Sequence, residues 1–141
     1  MKPNISVYLQ NIYEELNSEM GAQNVNCDAC GKCCNFQTFD HVLYASRIES
    51  DYILENVNTP LPEFQDNKTC PFMIDHYCTV REFRTLGCRV FFCDNEYKKN
   101  LSQDIYNKYY RKIQELSIKY NLDWEYKPLN DYLKPYQLRY C

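Results

Sequence analysis

Cys27-Asp28-Ala29-Cys30-Gly31-Lys32-Cys33-Cys34 packs four cysteines and a glycine into eight residues. A gap of two residues lets the chain turn once and aim two sulfurs at one point. The glycine after Cys30 suits the positive φ of such a turn, where backbone N–H groups face sulfur. Cys33 and Cys34 are neighbours whose side chains diverge in extended backbone, so they can serve different sites. Downstream stand Cys70-Pro71, Cys78, Cys88-Arg89 and Cys93. Eight of the nine cysteines therefore fall between positions 27 and 93, and Cys141 reads as a separate terminal thiol.

Four thiolates close a tetrahedral zinc site with Zn–S near ~2.3 Å, and four cysteines likewise hold a [4Fe–4S] cluster. The set Cys27, Cys30, Cys33, Cys34, Cys70, Cys78, Cys88 and Cys93 thus suffices for two all-thiolate sites, or for one cluster with four thiols in reserve. The cofactor this predicts is zinc or iron, the iron as a [4Fe–4S] cluster. Free thiols titrate near pH ~8.5, so an ion must displace protons. Two divalent ions on eight thiolates would add a charge of about −4 to the chain. Lys32, Arg81, Arg84 and Arg89 lie in or beside the motifs as donors to that excess charge. His76 and His41 are poorer ligand candidates, and no Ser/His/Asp arrangement or phosphate-binding glycine loop is legible.

Composition narrows the alternatives. A length of 141 residues fits one domain, and 16 basic against 19 acidic residues leave a net charge of −3. That balance excludes a basic nucleic-acid binder. No run approaches the ~18 apolar residues of a membrane span. The first residues, Met1-Lys2-Pro3-Asn4-Ile5-Ser6, give way to polar ones without a secretory core, so the expected compartment is the reducing cytoplasm. An odd cysteine count fits a disulfide scaffold poorly. The expected partner is a metal ion or cluster, with no nucleic acid and no membrane; a protein partner is not legible.

Periodicity supplies the frame. Ile5, Leu9, Ile12, Leu16 and Met20 predict an amphipathic helix over 4–20, with Asn4 as N-cap and Gly21 as stop. Asp40 predicts the cap of a second helix over 41–56, with Leu43, Ile48 and Tyr52 partly on one side. Pro60 and Pro62 enforce an extended link. Residues 66–95 read as loop with strand pieces at 77–80 and 89–92. Leu101, Ile105, Tyr109, Ile113, Leu116 and Tyr120 predict the longest helix, 101–120. Residues 121–141 carry Trp124 and several tyrosines and read as a docked aromatic tail. The fold class expected is mainly α with irregular metal-bound loops: a small single domain, 1–141, with two or three helices, short strand pieces and a cysteine core at 27–93.

The residues Cys27-x-x-Cys30-Gly31-x-Cys33-Cys34, Cys70-Pro71-Phe72, Cys78-Thr79-Val80 and Cys88-Arg89 with Cys93 resemble the YkgJ-type cysteine-cluster family, a zinc- or iron-chelating domain. The likeness spans about half of the chain and implies the same eight cysteines as ligands. Arg84-Thr85 stands where the family usually has Arg-Pro, and Val90-Phe91-Phe92-Cys93 lacks the proline usual there. The Cys30-Gly31 turn points to zinc; three cysteines spaced by two plus a remote Cys-Pro echo ferredoxin clusters. An iron–sulfur centre beside structural zinc is the reading favoured. The role expected is structural, redox or metal handling. The alternative is the iron–sulfur component of an enzyme that modifies a protein, as a lysine methylase does, or a small molecule.

Overall fold

The computed structural model describes residues 3–22, 43–57, 61, 69–74, 77–90 and 96–136. Pro3 opens helix α1, Pro3–Ala22, where its fixed φ suits the first helical position and its missing N–H costs nothing. Asn4 therefore sits inside the first turn, not at the cap, and Gly21 lies within the last turn. The buried stripe is Ile5, Leu9, Tyr13, Leu16 and Met20; Ile12 is half-buried beside it. The expected helix is thus present, with Tyr13 in the place given to Ile12.

Helix α4, Glu96–Lys119, starts five residues before its expected position. It lays Ile105, Tyr109, Ile113 and Leu116 against α1. The pairs Tyr8–Tyr120, Glu15–Lys112 and Glu19–Lys108 show that the two helices run antiparallel. Glu15–Lys112 at 2.8 Å and Glu19–Lys108 at 3.0 Å are partly exposed, and surface pairs contribute about 0–1 kcal/mol each. The apolar seam therefore carries most of the helix pairing. At its C-terminal end α4 closes in a Schellman turn: Leu122 N–H donates to Ser117 O and Asn121 N–H to Ile118 O, with Asn121 at φ 54°. Asparagine tolerates that left-handed position better than most side chains.

The expected second helix differs in detail. Residues Tyr44–Ser46 form strand β1, and helix α2 runs only over Arg47–Asn56. Its N-cap is Ser46 and not Asp40, because Ser46 and Glu49 make a reciprocal capping box. Strand β1 pairs antiparallel with β4, Tyr126–Pro128, in the register Tyr44↔Pro128 and Ser46↔Tyr126. The C-terminal segment is thus partly a strand, followed by the short helix α5, Leu129–Leu133, with Leu129 and Leu133 buried. A hairpin of β2, Met73–Ile74, and β3, Tyr77–Cys78, lies between. Strand β3 falls within the expected 77–80. The strand expected at 89–92 is not one at its first residues: Arg89 ends helix α3, Leu86–Arg89, and Val90 caps it.

Two apolar clusters result. One joins α1 and α4 to Ile48, Tyr52, Leu86 and Val90. The other gathers Leu43, Ala45, Ile53, Leu61, Cys70, Phe72, Cys88, Leu129 and Leu133. Helices α2 and α3 form the partition, each burying residues on both sides, and Phe83 packs against both clusters. Gly87 makes the α3 contact possible: a Cβ there would lie 3.3 Å from the Tyr44 carbonyl oxygen. The described chain is mostly helical with a few short strands, as expected. No helix among the described residues is long and apolar enough to cross a membrane.

Leu9 is fully buried in the α1–α4 seam, whereas Val7 on the same helix is 54% exposed. Leu9→Ala is expected to lower unfolding free energy by about 2–5 kcal/mol through lost burial and a residual cavity. Val7→Ala should stay within about 0.5 kcal/mol. Urea denaturation of both variants measures the difference.

Candidate functional site

Of the eight cysteines expected as ligands, Cys70, Cys78 and Cys88 lie in the described structure; Cys27, Cys30, Cys33, Cys34 and Cys93 lie outside the described residues, as do Lys32, His41, His76 and Cys141. Cys70 and Cys88 are buried and Cys78 is half-buried, and no disulfide joins any two of them. All three belong to, or pack against, the second apolar cluster. Cys70 opens a tight turn in which Met73 N–H donates to its carbonyl. The Phe72 carbonyl then accepts from both N–H and Oγ1 of Thr79, at 2.9 and 2.6 Å, which fixes the approach of Cys78. Asn130 Nδ2 donates to Thr69 O at 2.9 Å and ties α5 to the same turn.

Cys88 is placed by a cap. Thr85, fully buried at the N-terminus of α3, accepts from Cys88 N–H and donates its hydroxyl to Cys88 Sγ at 3.3 Å. A hydroxyl aimed at sulfur favours the negative form of that sulfur, the form metals bind.

Beside Cys88 the chain buries two opposite charges around an aromatic ring. Glu49 is 1% exposed. Its Oε1 accepts from Tyr13 Oη at 3.0 Å and Leu86 N–H at 2.7 Å; its Oε2 accepts from Ser46 N–H at 2.9 Å and Ser46 Oγ at 2.8 Å. Arg89 is 4% exposed and stacks its guanidinium on the other part of this assembly, 4.0 Å from the Tyr13 ring centroid. Nε of Arg89 donates to Arg84 O at 2.7 Å, Nη2 to Glu82 O at 2.9 Å and Nη1 to Asn17 Oδ1 at 3.4 Å. Burial lowers the pKa of Arg89 from the usual arginine range, offset in part by Tyr13 and Cys88. Of the four basic residues read as donors to the cysteine motifs, Arg89 is therefore buried in the fold, while Arg81 is exposed.

The sequence reading missed Glu49, although its signal was present: Ser46-x-x-Glu49 is the capping-box pattern. The contacts of Glu49 to Tyr13 and Leu86, 36 and 37 residues away, leave no local trace.

Among the described residues no three His, Cys, Asp or Glu side chains converge in a way that would hold an ion. Cysteine sulfurs from two separated stretches nonetheless lie in or against one apolar cluster, with the Thr85 hydroxyl on one of them. No family model matches the chain, nor does any curated protein or solved structure.

Two outcomes follow from the carboxylate. Both oxygens of Glu49 accept from main-chain N–H groups, so an amide must turn its NH2 toward one of them. Glu49→Gln is expected to cost about 1–3 kcal/mol, the penalty for an unmet buried donor, read from urea midpoints. Tyr13 is pushed well above the ordinary 10.0, chiefly by burial and then by the Glu49 charge. The folded chain keeps a proton that the unfolded chain releases. Its stabilisation is full below pH 10.0 and is lost as pH rises through the raised value. Tyr109 and Tyr132 are raised in the same direction by burial. Unfolding free energy should therefore fall above pH 10.0, and less steeply in Tyr13→Phe; denaturant titrations across alkaline pH check the slope.

Proposed function

We propose that this chain binds zinc or iron through the cysteines of the 27–93 region, with the metal acting as part of the scaffold and as a centre for redox or metal handling. The observation that carries the reading is the placement of Cys70, Cys78 and Cys88, drawn from separate stretches, on one apolar cluster without a disulfide between them. The Thr85 hydroxyl on Cys88 and the buried Arg89 next to it support it, since both favour negative sulfur. The five remaining cysteines, Cys27, Cys30, Cys33, Cys34 and Cys93, complete the ligand set in the proposal, in keeping with the likeness to YkgJ-type cysteine-cluster proteins. Thiol ligation of this kind belongs to a reducing compartment, and the cytoplasm is the location proposed.

Thr85 is held by the Cys88 amide and sulfur, and Arg89 by main-chain carbonyls, Asn17 and the Tyr13 ring. Metal, where bound, would cross-link the separate stretches of chain that carry the cysteines. Structural zinc of this kind contributes on the order of 10–16 kcal/mol, as much as the whole stability of a small domain.

Elemental analysis of the anaerobically purified chain should give stoichiometric zinc or iron. Cys88→Ser and Cys70→Ser should each lose metal, and a chelator should lower the melting temperature of the wild type. Full metal content in both variants, or a purified chain without zinc and iron, overturns the proposal. Broad visible absorption assigns iron–sulfur; a colourless zinc protein assigns zinc.

A further inference from the structure

A cavity of about 580 Å³ opens between α1 and the segment 81–89, lined among others by Tyr13, Asn17, Tyr52, Arg84 and Arg89. Its volume lies within the range of small-molecule sites. The donors around it are underused. Arg89 carries five N–H groups and among the described residues meets three acceptors, one of them at the long distance of 3.4 Å. It forms no ion pair with a described carboxylate; Glu49, the nearest buried acid in this network, is engaged on the far end of Tyr13. Arg84 Nε donates to Arg81 O at 2.9 Å, while its Nη1 is buried without any hydrogen-bond partner. Buried polar groups are almost always satisfied, and a charged donor left unmet calls for an explanation.

We propose that this cavity binds a small organic anion whose carboxylate meets Arg84 and Arg89, with its remaining atoms against Tyr52 and Tyr13. A planar carboxylate fits the fork of a guanidinium and takes two N–H bonds at once. The aromatic rings supply the apolar wall. Arg81, Glu14 and Glu82 also line the cavity and are exposed; against three arginines the two carboxylates leave a small positive excess, which suits a ligand with one carboxylate and hydrogen-bond donors elsewhere, the class of an amino acid, better than a multiply charged anion such as phosphate. The site stands on residues other than the cysteines and does not depend on the metal reading.

The test uses the full chain as purified, with ¹⁵N spectra of the arginine Nε–H groups followed during titration with acetate, glycine and inorganic phosphate. Saturable shifts at Arg84 and Arg89 with glycine and acetate, weaker with phosphate, are expected. Arg84→Gln should weaken that binding by about tenfold. Arg111→Gln, an exposed change on α4, should leave it as it was. Arg84 is only half-buried, and an unchanged helical circular dichroism spectrum shows that its variant has folded. Linear, unsaturated shifts with every probe, or equal binding by wild type and Arg84→Gln, overturn the site. Tighter binding of phosphate than of either carboxylate overturns the assignment of ligand class.

Discussion

The carboxylate of Glu49 is the point on which three parts of the chain are hung. It reaches back to the Ser46 cap of its own helix, across to Tyr13 on α1 and forward to the N-terminus of α3 at Leu86. A carboxylate in an apolar interior is tolerable only when its lone pairs are met, and here four donors meet it. That requirement fixes the mutual position of α1, α2 and α3 more tightly than apolar contact alone would, because hydrogen bonds are directional where burial is not. Tyr13 extends the constraint by turning its ring face to Arg89, so the two buried charges of opposite sign are separated by an aromatic spacer and not joined directly.

The consequence for the cysteines is positional. Helix α3 has only four residues, Leu86–Arg89, and too few internal hydrogen bonds to persist alone. It is held by Glu49 at its start, by the Thr85 cap, and by Arg89 at its end. Within this turn Leu86 faces one apolar cluster and Cys88 the other. The alternation places a sulfur on the same side as Cys70, which the Cys70–Met73 turn and the Asn130 bond to Thr69 hold from the opposite direction.

Legibility in the sequence followed the range of the interactions. The α1 and α4 stripes repeat every three or four residues and were readable, down to most of the buried positions. The second helix starts later than expected because the box formed by Ser46 with Glu49, and not Asp40, decides the start. The strand pair β1–β4 was not readable: each strand has three residues, too short for a period of two to emerge, and the partners lie far apart in the chain. Arg89 stood out by its place after a cysteine, yet nothing local announced that it would stack on Tyr13. The cysteine spacing gave a ligand set, of which Cys70, Cys78 and Cys88 fall in the described structure; Cys27, Cys30, Cys33, Cys34 and Cys93 do not.

The pairing of Tyr44 with Pro128 has a bearing on how the chain is made. During synthesis β1 emerges long before its neighbour, and the wait, at the usual pace of translation, is on the order of several seconds. Over that interval the Leu43 carbonyl lacks the Leu129 amide that later covers it, and the side of the nascent chain carrying Cys70, Cys78 and Cys88 stays uncovered by α5. Closure of so distant a contact is entropically slow. Until α5 arrives, the apolar cluster that holds Cys70 and Cys88 lacks Leu129 and Leu133.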